Sequence, residues 1–392
     1  MEDRTRAYLR GRFGDYYRRA GVPRPPDANA REWGYVPWTA GPGETMVRHR
    51  SLLDLGDLND FLERERPKHV YFSAGRYEEP GASTMAGKTW LSSDLIFDLD
   101  ADHLPGVTPG EDTYSEMLAA CKEALLKLLS FLEEDFGFDD LTIVFSGARG
   151  YHVHVRDEAV QRLESDARRE IVDYVRGIGL EPDALVDEEP VAGIAGRQSP
   201  ARKRTLSTAG GWSARVHRRL LDLLSEVREL EEEAAVDRLR TYDGIGEGNA
   251  TAVLRAAREN MSEIRRGNVD VHPAVYRLTT KLIQETVATE NAPIDEPVTT
   301  DINRLIRLPG SLHGGSGLAV RPIDRHAIDD FDPLVDAVPE TFRGHEISIE
   351  VTDGGRVELG GDTFTLEPGD RTVPEFLGVF LMARGRAEKG RE

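Results

Sequence analysis

The sequence predicts an α+β protein: a core of mixed sheets with flanking helices, interrupted by a mostly helical insertion, with a small C-terminal β-hairpin/helix appendix. Three observations predict it. Short runs rich in β-branched and aromatic residues (HVYFS, LSSDLIFDLD, LTIVF, YHVHV) fill the first 157 residues, and β character returns near Pro297. Between residues 158 and 290 the apolar spacing becomes helical. Beyond residue 331, Gly354-Gly355 and Gly360-Gly361 mark tight turns. The division expected is therefore 1–157 with 291–330 as core, 158–290 as insertion and 331–392 as appendix. At roughly 100–200 residues per domain, 392 residues accommodate it.

The elements follow in order. Residues 1–22 read as an amphipathic helix punctuated by Tyr8, Phe13, Tyr16 and Tyr17, which Pro23, Pro25 and Pro26 end. Residues 33–55 alternate as strands do, and Leu58–Glu65 reads as a short helix. His69–Ser73 and Leu91–Asp100 read as buried strands, the second being the clearest. After a loop containing Pro105 and Pro109, Leu125, Leu128, Leu129 and Leu132 give Tyr114–Phe136 helical spacing. Leu141–Arg156 reads as strand, glycine turn, strand. Helices are expected at Glu164–Gly177, Ser213–Arg240, Asn249–Asn260 and Val275–Ala288, with an irregular stretch over Pro182–Gly211. Pro297–Leu318 regains β character, with Asp301–Leu308 as a strand or helix edge. A hairpin over Glu346–Leu366 and a helix over Pro374–Ala383 complete the chain.

Composition sets limits. Asp and Glu number 70 against 50 Lys and Arg, a net charge of −20, which alone argues against a general polyanion binder. Only seven of the basic residues are Lys (68, 88, 122, 127, 203, 281, 389). An acidic, lysine-poor surface suits a cytosol of molar salt, where screening acts over about 3 Å. The single cysteine, Cys121, excludes an internal disulfide and any multi-cysteine zinc or iron–sulfur site. No run approaches about 18 apolar residues, so no membrane span is expected. The opening MEDRTRAYLRGRFGDYYRR lacks the apolar segment of a secretory signal, so a cytoplasmic location is expected.

Three segments carry chemistry. In IFDLDADH, strand alternation puts Asp98 and Asp100 on one face while Phe97, Leu99 and Ala101 enter the core. Paired carboxylates repel, and a hard divalent cation resolves the conflict; a solvated acidic edge is the plainer reading. In SGARGYHVHV, Gly147 and Gly150 permit a sharp turn and close approach of a ligand. Ser146 offers a hydroxyl, Arg149 a fork for phosphate oxygens and His152 a further donor, whereas His154 reads as structural or solvent-facing. The third segment, DINRLIRLPGSLHG, supplies Asp301, Arg307 and His313. Each alone is also compatible with an ordinary turn or ion-paired strand end. Together they form a kit for phosphoryl transfer: carboxylates for two metals, cations for a triphosphate.

These segments, in this order and spacing, resemble the small catalytic subunit of archaeal and eukaryotic-type DNA primases. RPKHVYFSAGRYEEP, MVRHRS and PEFLGVFLMARG are similar to that family as well. The resemblance implies a primase–polymerase core. It implies that Asp98, Asp100 and Asp301 bind two Mg²⁺ or Mn²⁺ ions, and that Ser146, Gly147, Arg149, Gly150, His152, Arg307 and His313 bind the nucleotide. Glu32, in Arg31-Glu32-Trp33, resembles an acidic position near the active site. The implied reaction is synthesis of short primers on single-stranded DNA from nucleoside triphosphates, with pyrophosphate released. The implied partner is a large subunit carrying an iron–sulfur cluster, for which this chain has no cysteines. A stand-alone or repair-type primase–polymerase shares the metal motifs, and a non-catalytic nucleic-acid-binding subunit is the reading from another class. Many relatives carry a zinc knuckle between the first two motifs. Here His103 and Cys121 cannot complete a four-ligand site, so no structural zinc is expected and the loop Leu104–Tyr114 is held by packing or mobile.

The net charge then describes the solvent rather than the substrate. Arg149, Arg156, Arg304 and Arg307, with Arg202, Lys203 and Arg204 nearby, offer local cations, and two divalent ions add about four positive charges. Stability and activity are expected to persist in molar KCl. Unfolding there, followed by circular dichroism, would refute the halophilic reading and leave the resemblance standing.

Overall fold

The computed structural model describes residues 1–39, 43, 45–108, 110–190 and 202–391. Pro109 and residues 191–201, within the expected irregular stretch, lie outside them. The chain forms two compact units. The first comprises Met1–Leu125, Phe138–Val172 and Pro293–Glu392; the second comprises Leu126–Gly137 and Asp173–Ala292.

The first unit is built on two antiparallel sheets. Strands β1 (Arg31–Val36), β2 (Val47–Arg50), β3 (His69–Tyr77) and β4 (Trp90–Ser93) join Leu305–Arg307 in one sheet. There β3 is central. It pairs with β1 along one side, and with Leu305–Arg307 and then β4 along the other. The second sheet contains β5 (Leu95–Asp100), β6 (Leu141–Phe145) and β7 (Gly150–Val155), in the order Arg321–Ile323, β6, β7, β5. Strands β6 and β7 are the expected strand–turn–strand.

The sequence pattern reads Leu91–Asp100 as one strand, but it divides at Asp94 and thereby passes from one sheet to the other. The cause is electrostatic. Asp94 is fully buried and meets three guanidinium groups: Arg31 at 2.9 Å, Arg76 at 2.6 Å and Arg156 at 3.2 Å. Arg168 adds hydrogen bonds to the carbonyls of Asp94 and Ser93, at 2.9 and 3.0 Å. A carboxylate deprived of water is tolerable only with such compensation. Burial lowers the Arg31 pKa to about 10 against the opposing pull of Asp94, so the guanidinium stays charged at neutral pH. Arg156, expected among the cations near substrate, is spent on Asp94. Arg168 also explains why the first unit runs to Val172, where the helical period places its edge at 158: the start of helix Ser165–Arg176 is anchored to the sheets.

Other expectations change in detail. Pro297 sits in the first turn of a short helix, Glu296–Thr300, where its missing N–H costs nothing, rather than in a strand. Glu346–Val351 pairs with Gly369–Pro374 and Ala387–Lys389, while Gly355–Leu359 and Asp362–Leu366 form their own hairpin. The C-terminal segment is integral to the first unit. Glu375, at the head of helix Glu375–Ala383, is buried and accepts from Arg12 of helix Asp3–Ala20 at 2.8 Å.

The second unit is mostly helical. Gly211–Glu229, Glu232–Arg240, Glu247–Glu259 and Pro273–Glu290 bury Val216, Leu220, Leu224, Val253, Leu278 and Leu282 in one core. The single helix expected over Ser213–Arg240 breaks at Leu230, which is extended. Lys203 pairs with Glu189 and Arg204 with Asp270, both pairs partly exposed. The side chain of Arg202 lies outside the described residues. No helix among the described residues is long and apolar enough to cross a membrane.

Replacing Asp94 with Asn should destabilise the protein by about 3–5 kcal/mol, because it leaves buried guanidinium groups uncompensated. Urea unfolding in molar KCl measures this; a loss under about 1 kcal/mol would contradict the electrostatic account.

Candidate active site

Strands β5 and β7 set the site's register. Asp98 lies opposite His152 and Asp100 opposite Gly150. Phe97 and Leu99 are fully buried, while Asp98 and Asp100 on the other face are partly open. They border a cleft of about 620 Å³ that Ser146, Arg149, Gly150, His152, Arg307 and His313 also line. Two motifs 45 or more residues apart thus meet because an antiparallel pairing aligns them, and the third joins them across the cleft.

The turn between β6 and β7 is over-determined. The Ser146 hydroxyl accepts from the N–H groups of Ala148 and Gly150, at 3.4 and 3.3 Å. Gly147 has a φ of +80°, and a Cβ there would come within 2.7 Å of the His313 Cβ. Its carbonyl accepts from the Ser316 hydroxyl, tying the turn to the third motif. Gly150 packs so closely on β5 that a Cβ would stand 1.8 Å from the Leu99 carbonyl oxygen. Arg149, at the tip, pairs with Asp102 and lies 4.0 Å from Asp100. Arg307 donates to the Tyr71 hydroxyl at 3.3 Å, and its buried Nε has no partner among the described residues.

The imidazoles are not cations here. His313 is half-buried, and its pKa lies well below the ordinary value, through desolvation first and then the charge of Arg307. Gly315 N–H donates to its Nδ1 at 3.1 Å, which leaves Nε2 as the proton-bearing nitrogen. His152 is lowered to about 3 by burial, Arg307 and Arg304. Its Nε2 faces the Asp98 carboxylate at 3.5 Å. Both are therefore neutral, and the positive charge beside the cleft comes from arginine. His154 is buried and stacks 6.1 Å from Phe72, with neither ring nitrogen partnered among the described residues.

The four expected catalytic carboxylates separate into two pairs. Asp98 and Asp100 share the cleft. Asp98's pKa is raised to about 6, by burial first, then by the charges of Asp100 and Asp295. Asp301 accepts from Asn303 N–H at 2.9 Å, and its charge reaches Tyr77 and Arg168 instead. Glu32 is fully buried in β1, 3.3 Å from Arg48 and 3.7 Å from Lys88, and its charge also reaches Tyr77. After Asp100, the carboxylate whose charge acts on Asp98 is that of Asp295, whose N–H donates to the Asp98 carbonyl at 2.9 Å. A signal for it exists in the sequence: Asp295-Glu296-Pro297 is a helix start, with Asp295 as the N-cap position that helix Glu296–Thr300 sets beside β5. Neither Asp295 nor Asp301 lines the cleft wall itself. Among the described residues, no three His, Cys, Asp or Glu side chains converge closely enough to hold a metal ion. What fits a divalent cation is the donor chemistry: hard oxygens whose mutual repulsion already strains Asp98. Cys121 is buried, with its thiol against the Leu99 carbonyl at 3.5 Å and its pKa pushed up by burial. Asp353, Arg384 and Arg386 of the C-terminal segment line the cleft as well; of these, Arg384 falls within PEFLGVFLMARG, a segment to which the sequence reading gave no role.

Comparison with known proteins gives the family. A family model described as the DNA primase small subunit matches residues 97–325, more than half of the chain. The DNA primase small subunit PriS of Haloarcula marismortui is 72% identical over the full length of both chains. The proteins of the same description from Halobacterium salinarum and Methanothrix thermoacetophila are 61% and 42% identical, again over the full length of both.

The strained carboxylate gives a test. Asp98 moves from the ordinary 3.8 up to about 6 on folding. The folded state then holds the proton more tightly than the unfolded state, so the cost of ionising Asp98 is absent below the lower value. It grows as pH rises between the two and is complete above about 6. Asp98→Asn should therefore stabilise the protein in excess chelator by about 1–2 kcal/mol near neutral pH, and change little near about pH 4. Urea unfolding at both pH values checks this; a variant less stable at neutral pH would show that Asp98 is not strained.

Proposed function

Because the chain belongs to the DNA primase small-subunit family, we propose that this cleft extends primers on a single-stranded DNA template by nucleotidyl transfer. The observation that carries the reading is the shared cleft: two carboxylates on one face of β5 opposite a turn that presents Arg149, with Arg307 and His313 beside them. The primer's 3′-hydroxyl attacks the α-phosphate of the incoming nucleotide, and pyrophosphate leaves. Arg149 and Arg307 bind the triphosphate, and the neutral His152 and His313 donate hydrogen bonds to its oxygens. Such donors are worth most in the transition state, as charge builds on the leaving oxygen, and a turn fixed by Ser146 and Gly147 needs no reorganisation to supply them. Asp98 and Asp100, with Asp295 in place of Asp301, would hold two Mg²⁺ or Mn²⁺ ions, which activate the attacking hydroxyl and neutralise the leaving group when bound. A large-subunit partner belongs to this reading, as the family's heterodimer implies.

The carboxylate variants test it in primer synthesis with the partner present. Asp98→Asn, Asp100→Asn and Asp295→Asn should each reduce turnover by more than about a hundredfold, and excess chelator should abolish it. Asp301→Asn should cost less than about tenfold. Full activity of Asp98→Asn would sink the cleft assignment. A silent Asp295→Asn beside an inactive Asp301→Asn would restore Asp301 as the third carboxylate.

A further inference from the structure

One wall of the cleft comes from the C-terminal segment: Ala383, Arg384 and Arg386, with Asp353. The two arginines differ in what holds them. Arg386 is committed to the protein, donating to the carbonyls of Gly354 and Asp353 and lying 3.5 Å from the Asp353 carboxylate. Arg384 has no carboxylate within ion-pair distance among the described residues. Its guanidinium instead lies 4.4 Å from the ring centre of Tyr114 and 5.2 Å from that of Phe380. Stacking of this kind fixes the plane of the fork while leaving its edge to meet an anion.

Tyr114 also connects Arg384 to the turn. Its hydroxyl donates to the Ala148 carbonyl at 2.5 Å, one residue before Arg149. One side chain thus holds both the tip of the turn and the guanidinium from the C-terminal segment. Desolvation first, and then the nearby charge of Arg149, disfavour the charge on Arg384, against the pull of Tyr114. Two guanidinium groups that repel across a cleft are reconciled by an anion placed between them.

We propose that Arg384 binds the polyphosphate of the incoming nucleoside triphosphate, opposite Arg149, and that Tyr114 positions it. This rests on the reading of the cleft as the nucleotide site, and it gives the C-terminal segment a part in substrate binding. A phosphate of the primer or template strand presents similar chemistry. The triphosphate is favoured because Arg384 is tied through Tyr114 to the same turn that carries Arg149.

The test is primer extension by the full chain with its large-subunit partner, titrating the nucleotide. Arg384→Gln should raise KM about tenfold and leave kcat within about twofold. Arg384→Lys, which keeps the charge but loses the fork, should recover part of that loss. Tyr114→Leu should raise KM in the same direction by releasing Arg384. Inorganic tripolyphosphate should inhibit Arg384→Gln about tenfold more weakly than the parent. Binding of a single-stranded oligonucleotide, followed by fluorescence anisotropy, should be unchanged. An unaltered KM overturns the proposal. So does lost oligonucleotide affinity with unaltered tripolyphosphate inhibition, which would place Arg384 on the strand. Asp98→Asn in the same assay separates the two readings. If it remains active, the cleft assignment itself fails; if it is inactive while Arg384→Gln keeps the parent KM, only the role of Arg384 fails.

Discussion

Asp94 is the residue on which the site's geometry depends. It sits where the chain leaves one sheet and enters the other, and it gathers guanidinium groups from β1, from β3 and from just beyond β7. Its own N–H donates to the Ala74 carbonyl of β3 at 3.1 Å. Four residues later comes Asp98. The start of β5 is thus pinned before the strand runs out to the cleft, and its register against β7 decides which residue faces His152. A one-residue slip would turn both cleft carboxylates into the core. Arginine suits this role better than lysine, because its fork meets carboxylate and carbonyls at once and keeps its charge when buried.

Within the cleft the candidate metal-binding carboxylates and most of the guanidinium groups stand on different elements. Carboxylates gather at β5 and guanidinium groups at the turn, the third motif and the C-terminal segment. The strain of the first group appears as the raised affinity of Asp98 for a proton, and that of the second as the depressed basicity of His152, His313 and Arg384. A site arranged this way is poised for a ligand carrying both a divalent cation and a polyanion. The overall charge of −20 is compatible with it, because the field that matters is local.

Much of this was legible in the sequence. Alternation placed Asp98 and Asp100 on one face, and the glycines announced the turn. What was not legible follows a physical pattern. The break at Asp94 depends on arginines 18 to 74 residues away, which no local period encodes. Asp301 stands inside the third motif and Asp295 just outside it, and the packing of a five-residue helix on β5, which brings the Asp295 backbone to Asp98, has no counterpart in a local sequence pattern. Histidines look like cations in a sequence, but burial decides their charge. Arg384 belongs to a segment whose role appears only once Tyr114 is seen beneath its guanidinium.

The turn between β6 and β7 carries a consequence for how such a protein can change over generations. Gly147 is fixed by its backbone angle and by His313, Gly150 by the Leu99 carbonyl, and Ser146 by the two N–H groups it accepts. Only Ala148 and Arg149 are left with side chains that space and hydrogen bonding do not dictate. Within this turn, mutation can explore nucleotide recognition at those two places alone.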